Sequence, residues 1–170
     1  MTKRKWLRES EQRAWLGWMG ASRLVDLSLD QQLRRDSGMS HATYSLMAVL
    51  SKAPQRTLRM ADIAMMTNSS QSRLSHAVDR VEESGWITRS RNPASNREVL
   101  ATLTDAGYDI IRTAAPGHVA AVRRLVFDRL SDEQVQQLAD ISELILQALA
   151  EEGFKVPAAI ASGRGRAPRA

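Results

Sequence analysis

The chain contains no cysteine. Disulfides, thiolate metal centres and cysteine redox chemistry are thereby excluded, and the reducing cytoplasm is the expected compartment. Aromatic residues make up only 5%. No run of about 18 apolar residues occurs, and no membrane span is expected. The basic start, Met1–Arg8, is not followed by an apolar segment and does not read as a secretory signal. Three histidines are scattered along the chain, which argues against a metal site, and no cofactor is expected. A Gly-rich phosphate loop, an HExxH motif and a nucleophile–base arrangement are all missing, so no catalytic residue and no enzyme is expected. Gly163-Arg164-Gly165-Arg166 belongs to a tail, not to a catalytic loop.

What remains is a chain of 170 residues, 43% hydrophobic and 25% charged, the composition of one globular domain. Its net charge of +5 is unevenly spread. Residues 1–8 and 153–170 each hold four cations and no acid. Residues 52–97 hold eight cations against four acids, whereas 98–152 hold four against ten. The body is therefore polarised, with one basic region and an acidic C-terminal part, as suits a protein with one anion-facing end.

The basic region has an order of its own. A short helical pattern, Met60–Thr67, is followed by a polar break at Asn68-Ser69-Ser70. A second amphipathic helix then places Leu74, Val78 and Val81 on one face. Gly85 stops it as a left-handed residue would. Trp86-Ile87-Thr88-Arg89, an Arg/Asn/Pro loop and Val99–Leu103 complete a basic hairpin. Helix, tight turn, helix and basic hairpin make a winged helix-turn-helix, whose second helix enters the major groove of duplex DNA. The expected contacts are Ser69, Ser70, Gln71, Ser72, Arg73, Ser75, His76 and Arg80 on the helix and Arg89, Arg91, Asn96 and Arg97 on the wing. A merely solvated polar face and a charged turn are the alternative for these residues taken singly. For the whole chain the rival is a nucleoid-type protein that coats DNA without sequence preference.

Long helices bracket this reading head. The first runs from about Glu9 to Arg35, with Trp18, Val25, Leu29 and Leu33 at helical spacing. Ser40 caps a helix through Leu50, with Tyr44, Met47 and Ala48 inward. Arg56–Arg59 reads as a short strand pairing with the wing. Thr104 caps a helix to about Arg129, in which Pro116-Gly117 predicts a kink near Ala115 or a division in two. Ser131-Asp132-Glu133-Gln134 is a capping box for a last helix to about Glu152. Its stripe of Leu138, Ile141, Ile145 and Leu149 is wider than one small head can cover. These positions are the expected interface of a homodimer, and a separate bundle is the other option. The reading is a mainly α fold with a small β wing. Residues 1–8 form a flexible basic arm, 9–152 one fold and 153–170 a disordered basic tail. Within the fold, the reading head spans about 40–103 and the dimerisation helices about 9–35 and 105–152.

The sequence resembles the MarR family of bacterial transcription regulators over about Glu11–Glu151. The segments that carry the resemblance are LRMADIA (58–64), SQSRLS (70–75), VDRVEESGWI (78–87), LTDAG (103–107) and LSDEQ (130–134). The resemblance implies an obligate homodimer on a pseudo-palindromic operator, usually a repressor, relieved in many members by a small aromatic or anionic effector. The family's effector pocket lies between the dimer helices and the reading head, where Trp15, Trp18, His41 and Tyr44 are candidate lining residues; burial in the core is the competing role for aromatics at this spacing. The family's wing carries Asp-x-Arg. Here the positions read Ser95-Asn96-Arg97, so the arginine is kept and the acid that would hold it is not.

Overall fold

A computed structural model describes residues 6–67, 71–154 and 156, with the backbone alone for 71–73 and 96. The expected arm at 1–5 and the tail at 155 and 157–170 lie outside the described residues. The chain runs α1 (Glu9–Ser37), α2 (His41–Lys52), β1 (Thr57–Arg59), α3 (Met60–Met66), α4 (Gln71–Glu83), β2 (Ile87–Asn92), β3 (Ser95–Leu103), α5 (Asp105–Leu125) and α6 (Asp132–Glu151). Single 3-10 turns lie at Pro54–Arg56 and Phe127–Arg129. The architecture is mainly helical with one small antiparallel sheet, as the sequence predicts.

The helix ends follow local chemistry. Gly38 closes α1 in the left-handed region at φ 69, and its N–H reaches the Arg34 carbonyl at 3.1 Å. Ser40, Thr104 and Ser131 each accept a bond from a backbone N–H three residues on. Each satisfies a donor that the helix itself leaves unpaired. The Ser131/Gln134 capping box is formed in both directions. Helix α4 ends in a Schellman turn. Gly85 sits at φ 73, the Trp86 N–H bonds the Val81 carbonyl (3.1 Å), and the Gly85 N–H bonds that of Glu82 (2.8 Å).

Helix α5 runs unbroken through Pro116, so the division in two does not occur, and it stops at Leu125 rather than about Arg129, the last residues forming the 3-10 turn. Proline here forfeits only the bond to the Arg112 carbonyl. Pro116 and Arg112 are both exposed, so the missing bond lies on an outer face of the helix.

The sheet has the order β1-β3-β2. Strand β1 pairs with β3 through Thr57↔Thr102, confirming the short strand expected before α3. Strands β2 and β3 form the wing, closed by Pro93-Ala94, with a register shift at Arg91/Asn92. The core joins Leu33 of α1, Leu46, Met47 and Leu50 of α2, Ile63 of α3, Val78 and Val81 of α4, Ile87 and Leu103 of the wing, and Ile111 of α5. It is the reading head's core, reached by the last turns of α1 and the first of α5. The N-terminal half of α1 takes no part: Trp15 and Trp18 are each 48% exposed. Helix α6 buries none of its residues within the chain.

Candidate nucleic-acid interface

Helix α4 divides its residues cleanly. Leu74, Ala77, Val78 and Val81 are buried against the core, whereas His76 and Arg80 are exposed and Ser75 is half-buried. Gln71, Ser72 and Arg73 begin the helix, so their backbone lies at the N-terminal end where a recognition helix meets base edges. Ser69 and Ser70 lie outside the described residues, as do the side chains at 71–73 and at Asn96.

The wing's three arginines part ways. Arg91 and Arg97 are exposed and make no ion pair among the described residues. Arg89 is turned back onto α4. Its guanidinium meets Asp79 at 2.7 Å and Glu82 at 2.5 Å, and its backbone N–H bonds the same Glu82 carboxylate at 3.0 Å. The Arg89 bonds hold the Glu82 carboxyl below the usual carboxylate range, and Glu82 in turn raises the Arg89 guanidinium. Arg89 therefore ties the wing to the helix.

A second tie stands at the wing's root, formed by residues that the sequence reading missed. Glu98 accepts from the Asn92 side-chain amide at 2.6 Å and pairs with Arg59 at 3.2 Å. Arg59 also grips Asp62 of α3 at 2.7 Å. Wing, β1 and α3 are thus linked by one short polar network. Ser95 is no acid, and Glu98, three residues on, braces the hairpin through Asn92 rather than holding Arg97. Arg59 and Asp62 are neighbours at i,i+3, but no spacing rule links them to positions 92 and 98; the pairing of β1 and β2 with β3 brings these together.

The four candidate pocket aromatics form two separate groups. Trp15 and Trp18 touch each other on α1, with ring centroids 5.5 Å apart. His41 and Tyr44 instead pack on His118 of α5, at 5.5 and 4.2 Å. His41 is held by Asp26 through Nδ1 (2.6 Å) and by Asp30 through its backbone N–H (2.9 Å). His118 is half-buried, and its Nδ1 has no hydrogen-bond partner. Desolvation, and to a lesser degree the charge of His41, lowers its pKa below the ordinary histidine value. No group of three or more His, Cys, Asp or Glu suited to a metal is found among the described residues.

A sequence profile described as the MarR family matches residues 39–99, from Met39 before α2 to Val99 in the wing. A MarR family transcriptional regulator from Streptomyces coelicolor, Sco3205, solved in complex with DNA, is 41% identical, with a TM-score of 0.85 over 92% of this chain and 98% of its own. The chain belongs to the MarR family. A second MarR regulator from S. coelicolor, AbsC, is 33% identical, with a TM-score of 0.81 over 86% of this chain and 99% of its own. The HTH-type transcriptional repressor YetL of Bacillus subtilis is 23% identical over 62% of this chain and 65% of its own. This MarR chain is accordingly a transcription regulator of winged-helix fold. Among the described residues no helix is long and apolar enough to cross a membrane.

Proposed function

We propose that this MarR protein is a sequence-specific repressor that binds a pseudo-palindromic operator as a homodimer and releases it on binding a small effector. The observation that carries the reading is the shared placement of α4 and the wing. Helix α4 buries one face, turns His76 and Arg80 outward, and is locked by Arg89 to a hairpin whose Arg91 and Arg97 stand free of ion pairs among the described residues. Such a unit offers donors for base edges beside cations for phosphates. The DNA complex of the Streptomyces relative and the repressor name of the Bacillus one support the same reading.

Within it, Gln71 and Arg73 read bases, since amide and guanidinium bond bidentately and each good pair discriminates by about 1–3 kcal/mol. Ser69, Ser70, Ser72, Ser75, His76, Arg80, Arg91, Asn96 and Arg97 contact backbone or neighbouring bases. The test is footprinting of the wild type, with binding of Gln71→Ala and Arg73→Ala to operator and scrambled duplexes. Protection of one palindrome, with operator preference reduced in both variants, is expected. Uniform coating of DNA, or unchanged preference in both variants, refutes sequence-specific reading by α4.

A further inference from the structure

A cavity of about 490 Å³ lies between the last turns of α1, the first turns of α5 and Trp86. It contains none of the four aromatics that the family resemblance picks out. Its apolar surface is supplied by Trp86, Ile110 and Ala114. Its charged groups are two carboxylates, Asp36 and Asp109, and no Lys, Arg or His lines it. Asp109 has one weak partner, Arg112 at 3.5 Å, itself largely exposed. Gln32 stands in the wall and is 95% buried by its 5% exposure. Its Nε2 donates to Asp36 at 2.8 Å, which fixes the amide's orientation, and its Oε1 is left as a buried acceptor without a donor. Unpaired buried acceptors are uncommon and costly. The cavity therefore presents negative charge and an aromatic residue, with no cationic side chain to offset the charge.

We propose that this cavity is an effector site for an organic cation, with its ammonium or amidinium group toward Asp36 and Asp109 and its apolar body against Trp86. Carboxylates form charge-assisted bonds with such donors, and an indole face attracts cations. An anion would meet two like charges and no donor with a positive charge. The proposal rests on the reading of the chain as a regulator only for its consequence. Trp86 follows the glycine that ends α4, and its carbonyl accepts the Thr104 N–H at 3.0 Å where α5 begins. An occupant pressed on Trp86 therefore acts where α4, the wing and α5 meet.

The test uses benzamidinium, with isosteric benzoate and neutral benzamide as controls, on the full chain without DNA. The indole N–H resonance of Trp86, assigned by its loss in Trp86→Phe, reports occupancy. Benzamidinium is expected to shift it at concentrations where benzoate does not, and Asp36→Asn/Asp109→Asn should weaken binding by about tenfold or more. If the double variant melts early, Asp109→Asn alone decides, because that side chain is exposed and outside the core. Benzoate binding as well as benzamidinium, or no shift by about 10 mM, overturns the site. Operator affinity is then measured with and without benzamidinium. A change in the wild type that is lost in the variants is expected, and unchanged affinity despite binding overturns the regulatory half. A wild type that binds no DNA refutes the DNA-binding reading, while the resonance alone still decides the site.

Discussion

Gly107 has the least room for change among the described glycines. A Cβ there would run into the Trp86 carbonyl oxygen and lie 2.8 Å from a Leu103 methyl. Backbone cannot yield as a side-chain tip can, so Gly107→Ala is expected to cost about 3 kcal/mol or more. Thermal or urea unfolding checks this, and a variant as stable as wild type would mean that α5 starts elsewhere. His118 makes a second case, through pH. Its folded pKa lies below the 6.5 of the free side chain. The unfolded chain therefore takes up the proton first as pH falls, and stability rises with pH across that window. The contribution is complete above 6.5 and is lost as pH drops through the folded value. Tyr44 and His41 face the ring, and Asp26 holds His41 from α1. His118→Gln should flatten the fall in melting temperature between about pH 7 and pH 5. An equally steep fall in the variant would place the titration on another group.

At the scale of elements, the wing acts through its ties as much as through its tip. Arg91→Ala and Arg97→Ala are expected to weaken DNA binding across sequences and to flatten the salt dependence by roughly 0.9 for every phosphate that each head no longer neutralises. Arg89→Ala frees the hairpin from α4 instead. It should weaken binding in the wild-type background but add little once Arg91 and Arg97 are gone, because it acts through them. Full additivity in the triple variant would put Arg89 on the DNA directly. The contrast shows what the sequence made legible. Ser40, Thr104, Ser131 and Gly85 announce their helix ends because capping is local, and Leu74, Val78 and Val81 reveal the inner face of α4 by period alone. Arg89 reads like any other wing cation, since only the return of β2 past α4 brings Asp79 and Glu82 to it. The Arg59–Glu98–Asn92 network is hidden for the same reason: its members meet through strand pairing, not spacing. Trp15 and His41 suggest one pocket by type, but within one chain Trp15 meets Trp18 and His41 meets His118.

The whole molecule is unfinished as a single chain. Trp15, Leu16, Trp18 and Met19 crowd the N-terminal half of α1 at 46–61% exposure. Helix α6 leaves Leu138, Ile141, Leu144 and Leu149 at 40–67%, with Ile145 half-buried. Clustered apolar exposure of this extent on a globular domain marks an interaction surface. Both patches lie on the helices that bracket the reading head, where a second copy would set two heads side by side for two half-sites. Ile145 sits on the same stripe as Leu138, Ile141 and Leu149, so an unpaired charge there would be buried in the assembly at severe cost. Ile145→Asp is expected to yield monomer, or unfolded chain if the monomer has no stability of its own, and to abolish operator binding because one head makes half the contacts. Surface Gln136→Asp on the same helix controls for added charge. Sedimentation of wild type and both variants, beside operator titration, decides the matter. A wild type that stays monomeric at micromolar concentration yet protects a full palindrome would refute assembly through these faces.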